Sequence, residues 1–291
     1  MKNKINIHDV NMSGAAMPDR VFQRLSGFIH TECGIKMPVS KKTMLEARLL
    51  KRMHSLGMTS FGEYCDYVLG PEGIEHELIH MIDAVTTNKT DFFREPGHFD
   101  YLTQTALPEL IKTYGAGIAG RLMVWSAGCS SGEEPYTLAI VLSEFAERCH
   151  GFNFTILATD ISTRVIEKAK IGIYEQDRIE PVPAVLKQKY FLRSKDKTKG
   201  LVRVIPGLRE MVRFRRLNFM DEDFGFREPI DIIFCRNVII YFDRLTQERL
   251  LNKFCSHLIP GGYIFMGHSE TLNGLNVPLI PVAPTVYRRR S

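Results

Sequence analysis

Apolar residues recur at three- and four-residue intervals over positions 18–84. Beyond about position 96, short apolar runs alternate with helical stretches. After Pro18 and Asp19, Val21, Phe22, Leu25, Phe28 and Ile29 follow helical spacing until Gly34 stops the run. Ser40 can cap a second helix with Leu45, Leu49, Met53 and Leu56 on one face, ended by Gly57. Ser60 and Glu63 make a capping-box pattern for a third helix, with Phe61, Tyr64, Cys65 and Val68 inward. Gly70-Pro71 interrupts, and a fourth helix is expected from about Gly73 to Asp83. Short connections predict an all-helical domain over 18–84, preceded by a polar, flexible tail over 1–17.

Residues 85–95 read as a structured linker, because Gly and Ser are absent and Phe92-Phe93 call for burial. The rest, 96–291, predicts an α/β fold. A helix runs over 97–114, then a strand over Arg121–Trp125, a small-residue loop Gly128–Gly132, and a helix carrying Leu138, Val141, Leu142 and Phe145. The strand Phe154–Thr159 ends at Asp160, and Ser162 caps the next helix. Later come strand Ile230–Cys235, a helix from Asp243 to His257, strand Tyr263–Met266 and a closing strand or hairpin near 280–289. Such alternation predicts a doubly wound sheet covered on both faces. Between about 172 and 216 the rhythm breaks. Leu201–Ile205 and Met211–Phe214 are read there as strands of a small antiparallel β insert.

Composition narrows the class. The 291 residues are 44% hydrophobic with net charge +5, mildly basic and compatible with nucleic acid or an acidic protein partner. Six scattered cysteines include no C-x-x-C pair, so reduced, mostly buried thiols are expected and no zinc spacing is seen. The N-terminus lacks the apolar run of a signal peptide, and no stretch is long enough to span a bilayer. A soluble, cytoplasmic protein without a bound metal is expected.

The first strand leads into Ser126-Ala127-Gly128-Cys129-Ser130-Ser131-Gly132, and ligands bind where such strands end. The G-x-x-x-G spacing departs from the dinucleotide pattern, and Ser131 with Glu134 suggests a capping box. Glu133-Glu134 disfavours a pyrophosphate and favours a cationic ammonium or sulfonium ligand; an ordinary turn with solvated acids explains the loop equally well. Asp160 suits the two hydroxyls of a ribose, or equally a helix N-terminus. Arg236-Asn237 follows a buried strand and lies over the same crevice, although an Asn cap is the plainer account. Asn218 could meet an adenine edge and Phe219 its face.

Taken with Thr87–Glu95, Trp125–Tyr136, Ala158–Ile161, Cys235–Phe242 and Gly267–Glu270, the chain resembles the CheR family of chemotaxis receptor methyltransferases over nearly its whole length. The resemblance implies a helical N-terminal domain, then a class I methyltransferase domain with a small β-subdomain. It implies S-adenosylmethionine bound by Asn88, Thr90, Arg94, Glu133, Asp160, Asn218, Phe219, Arg236 and Asn237, with Arg94 and Tyr241 at the reacting end. The partners implied are the cytoplasmic domains of membrane chemoreceptors and, in some members, a receptor C-terminal peptide gripped by the β-subdomain. Nucleic acid and membrane insertion are not expected.

The expected reaction is attack of a receptor glutamate on the sulfonium methyl, giving a methyl ester and S-adenosylhomocysteine. A glutamate with a pKa near ~4.3 is already ionised, so no general base is needed. Alignment, worth roughly 7–11 kcal/mol, is the main task. Lys41, Lys42, Arg48, Lys51 and Arg52 on the second helix form a basic face that suits acidic receptor helices, or is simply solvated. The alternative to an enzyme is a non-catalytic receptor-binding regulator that keeps the fold. A methyltransferase of nucleic acid or of a small molecule is a further rival, as is a dehydrogenase.

Overall fold

The computed structural model describes residues 16–290. They form two compact units: one runs to Thr31 and resumes over Met37–Val85, the other joins Glu32–Lys36 to the chain from Thr86 on.

The first unit contains α1 (Asp19–Cys33, whose last two residues fall in the second unit), α2 (Lys42–Ser55), α3 (Phe61–Val68), α4 (Pro71–His76) and α5 (Leu78–Val85). The single fourth helix expected over 73–83 is thus two short ones. Ser60 caps α3 by accepting the Glu63 N–H at 3.1 Å, while Glu63 reaches back to the N–H of Thr59, not of Ser60. Ser40 makes no cap, because a 3-10 turn over Val39–Lys41 leads into α2. Residues 1–15 of the expected tail lie outside the described residues. Met17 does not fit a loose tail, since it is buried and its N–H donates to Glu46 Oε1 at 2.8 Å. The Arg52 fork pairs bidentately with Glu77 at 2.6 Å on both oxygens, and Tyr64 OH adds a third donor at 3.1 Å. Glu77 is 1% exposed, so this pair is interior structure. Lys42 pairs with Asp19 at 2.6 Å and Arg48 donates to the Val85 carbonyl. Three cations of the expected basic face are therefore engaged within their own unit.

The second unit begins with α6 (Gly97–Tyr101), a π-helical stretch (Leu102–Ala106) and α7 (Leu107–Tyr114). Pro108 has no N–H to give the preceding turn, which accounts for the wider turn there. Then follow β1 (Leu122–Ala127), α8 (Glu133–Arg148), β2 (Phe154–Asp160), α9 (Thr163–Ile171), β3 (Ile173–Glu175), α10 (Ala184–Tyr190), β4 (Phe191–Arg193), β5 (Leu201–Val204), α11 (Pro206–Glu210), β6 (Val212–Arg216), β7 (Ile230–Cys235), α12 (Arg244–His257), β8 (Leu258–Met266), β9 (Leu279–Ala283) and β10 (Val286–Arg289). Seven strands make the main sheet, in order β6-β2-β1-β7-β8-β10-β9. The first five are parallel and β10 runs antiparallel between β8 and β9. Alternate strand residues feed two cores: Val124, Ile156, Ile232 and Phe234 on one face, Trp125, Ile233, Cys235 and Ile264 on the other.

A second, antiparallel sheet has order β3-β5-β4. The expected insert of about 172–216 was drawn too long. Val212–Arg216 pairs parallel with β2 as an edge strand of the main sheet, with Ile156 opposite Val212 and Asp160 opposite Arg216. The Pro206–Glu210 turn of helix between β5 and β6 carries the chain from one sheet to the other.

Candidate active site

The carboxyl ends of β1, β2 and β7 lie side by side, and most of the candidate residues gather along that edge. Gly128 leaves β1 with φ +89°, and a Cβ there would lie 2.5 Å from Val238 Cγ2. Only glycine lets the loop pass the residues that follow β7. The Ser130 N–H donates to Asp160 Oδ2 at 2.8 Å, and the Ser162 N–H to Oδ1 at 2.9 Å. These two donors fix the Asp160 carboxylate at the end of β2. Ser162 also caps α9.

Both acids of the loop are matched within the protein. Glu133, 1% exposed, accepts from Ser131 Oγ at 2.7 Å and from Arg178 Nη2 at 2.7 Å. Arg178 also donates to the Thr90 carbonyl at 2.5 Å and to Asp91 at 3.2 Å. Glu134 accepts from Ser126 Oγ at 2.7 Å and lies 3.7 Å from Arg236. Burial pushes its carboxyl up, against the pull of Arg236 and Ser126. The Ser131–Glu134 capping box does not form: Gly132, at φ +99°, is the N-cap, and each acid has found another partner. The surplus negative charge expected of this loop is thus largely neutralised.

The segment over 88–95 packs beside the loop. The Asn88 carbonyl accepts from Ser130 Oγ at 2.9 Å, and Thr90 is buried. Phe92 is buried edge-on against Tyr174 and Phe191, as its apolar character demands. The Phe93 N–H donates to Thr137 Oγ1 at 3.1 Å. Arg94 is half-buried and donates to the Lys89 carbonyl at 3.4 Å. Five non-glycine residues among those described have a left-handed backbone, and Phe93, Glu95, Ser130 and Asn237 are four of them. Strain of this kind collects where geometry serves a site.

After β7, Arg236 is buried. Its Nε meets Glu95 Oε2 at 3.2 Å, Nη2 donates to the Arg94 carbonyl, and the guanidinium lies over Phe99. It ties the Arg94 turn to the sheet. Asn237 follows at φ +59°, close enough to Gly267 that a Cβ there would lie 2.4 Å from its Nδ2. Glu270 holds this turn, accepting from the N–H groups of Gly267, Asn237, Val238 and Ile239 at 2.7–2.9 Å. Tyr241 is half-buried in the 3-10 turn Ile239–Tyr241. The Asn218 amide donates to the Glu32 carbonyl at 2.6 Å and accepts from the Met220 N–H at 3.1 Å. The Phe219 ring turns into the aromatic cluster of Trp125, Phe224, Phe242 and Phe254.

Asn88, Thr90, Arg94, Glu133, Asp160 and Arg236 are therefore joined by short links through Ser130, Arg178 and Glu95. Asn218 is brought near them by the Leu217 N–H, which donates to the Asp160 carbonyl at 2.9 Å. Phe219 faces core, and Tyr241 lies in the 3-10 turn that follows β7. Sequence reasoning missed Arg178 and Glu270. Glu270 stood in a quoted motif without a role; nothing around Arg178 singled it out.

Residues 88–287 match the model of the CheR methyltransferase SAM-binding domain, and residues 20–86 that of the CheR methyltransferase all-alpha domain. The chain belongs to the CheR methyltransferase family. A chemotaxis protein methyltransferase of Borreliella burgdorferi is 41% identical over 289 residues, 99% of this chain and 98% of that one. One from Escherichia coli is 38% identical over 274 residues, 94% and 91% of the two chains. Chemotaxis protein methyltransferase 2 of Pseudomonas aeruginosa is 38% identical over 268 residues, 91% of each. As a CheR methyltransferase, the chain is an enzyme that uses S-adenosylmethionine. The donor set suits that cofactor, with a carboxylate for hydroxyls, amides for a heteroaromatic edge, and acids and arginines for an amino-acid end.

Proposed function

We propose that the chain methylates glutamate side chains of chemoreceptors from S-adenosylmethionine, working in the cytoplasm. The observation that supports this best is the linked set of Asn88, Thr90, Arg94, Glu133, Asp160 and Arg236 at the strand ends of a CheR methyltransferase. The cofactor supplies an electrophilic methyl group on a cationic sulfur. Asp160 binds the ribose hydroxyls, and the Asn218-Phe219 turn with Asn237 bounds the adenine end. Thr90, Asn88 and Glu133 hold the amino-acid end. Arg94 and Tyr241 position the incoming carboxylate; neither has to move a proton, because a glutamate is ionised at neutral pH. Arg236 keeps Arg94 in place through its carbonyl. A receptor C-terminal peptide would fall to the insert, where a groove of about 740 Å³ is lined by Ile179, Phe191 and Val202 with Lys187 and Arg193. The test is incubation with methyl-labelled cofactor and membranes containing chemoreceptors. Base-labile methyl ester on the receptor is expected; label that survives base, or none, overturns the reading.

A further inference from the structure

We propose that Glu95, His98 and His268 form a binding site for one divalent transition-metal ion of the zinc class. Glu95 and His98 flank the start of α6, and His268 lies two residues past the end of β8. The His268 backbone N–H donates to Glu95 Oε1 at 3.2 Å, which fixes the two segments together. One potential ligand atom from each residue lies within 4.8 Å of the others.

His98 Nδ1 carries the argument. The ring is 3% exposed, and Nε2 lies 2.8 Å from Thr285 Oγ1. Thr285 donates its own hydroxyl proton to the Pro284 carbonyl at 2.7 Å. With its own proton so placed, Thr285 accepts from the ring, which assigns the ring hydrogen to Nε2. Nδ1 is left with a lone pair, buried and without a hydrogen-bond partner, facing Glu95 Oε2 at 3.5 Å. Two lone pairs so placed repel. A shared proton would draw them to about 2.7–2.9 Å. A tetrahedral ion with bonds of about 2.0–2.1 Å instead holds neighbouring ligands about 3.4 Å apart. The Nε2–H bond to Thr285 is the outer support that fixes the ring of a metal-binding histidine.

Access agrees. Glu95 keeps its pair with the buried Arg236 at 3.2 Å, and the two histidines would enter as neutral imidazoles. Two imidazoles and a carboxylate suit zinc, and exposed His268 opens the site to solvent. The ion would clamp the turn bearing Arg94 to the end of β8.

The full chain, stripped with chelator, is titrated with Co²⁺ by visible absorption and with Zn²⁺ by calorimetry. One equivalent and the d–d bands of a tetrahedral site are expected. His268→Ala, a surface change, should weaken uptake at least tenfold with the circular dichroism spectrum unchanged, and Glu95→Gln should do the same. No uptake by the unmodified chain, or equal affinity in His268→Ala, overturns the proposal.

Discussion

Glu270 accepts four backbone N–H groups from two segments, the turn after β7 and Gly267. Removing the carboxylate leaves several buried donors unsatisfied at once, at about 1–3 kcal/mol each. Glu270→Ala should lower unfolding free energy by about 3 kcal/mol or more in urea titrations, and Glu270→Gln by less. The proposed positioning groups should behave differently. Arg94→Ala should reduce kcat by roughly a hundredfold, about 2.7 kcal/mol, with little change in stability. Methyl-ester assays at saturating cofactor check this, and wild-type turnover in the variant removes Arg94 from its role. Asp160 and Arg236 were legible because a charged residue ending an apolar strand has few other places to go. The loop acids were legible as acids but not as free charges. Their partners, Arg178 and Arg236, lie 45 and 102 positions away, and composition says nothing of such pairings.

Long, strongly periodic elements were readable, and the parallel strands of the main sheet stood out as apolar runs. Val212–Arg216 was not, because a short run with alternating arginines fits an antiparallel hairpin and an edge strand of a parallel sheet equally well. Polar contacts on two sides help hold the insert it was assigned to against the larger domain. Arg178, at the start of the small sheet, spans Thr90, Asp91 and Glu133. Arg178→Ala strands the buried Glu133 carboxylate, so the Kd for S-adenosylmethionine should rise roughly tenfold, about 1.4 kcal/mol, with kcat at saturation nearly unchanged. Calorimetry and a KM-against-kcat comparison check it. On the other side, Lys189 and Tyr190 of α10 both donate to Glu144 of α8. Those bonds hold the Glu144 carboxyl below its ordinary value. Its folded-state pKa is depressed, so the contribution is present above the unfolded value of about 4.3 and fades as pH falls through the folded one. The pair is partly exposed and worth no more than about 1 kcal/mol. Thermal melts should show Glu144→Gln slightly less stable near neutrality and equal to the unmodified chain in strong acid, its acid limb correspondingly flattened.

For the molecule as a whole, net charge +5 bears on where a receptor would dock. The face of α2 looked like five cations for docking, yet Arg52, Lys42 and Arg48 are each engaged inside their own unit, and Lys51 is exposed. Sequence spacing reports which residues share a helical face but not which already have partners, so the surface charge was overcounted. Two substitutions on this one helix should therefore separate. Arg52→Ala leaves Glu77 buried with Tyr64 as its remaining side-chain donor, and should cost about 3 kcal/mol of stability whatever the receptor concentration. Lys51→Glu should leave stability and cofactor affinity alone but raise the KM for receptor. Salt should act as Lys51→Glu does: shortening the Debye length from about 10 Å at 0.1 M to about 3 Å at 1 M should raise that KM while calorimetric cofactor binding holds. If receptor KM ignores both Lys51→Glu and salt, α2 carries structural charge alone and the receptor docks elsewhere.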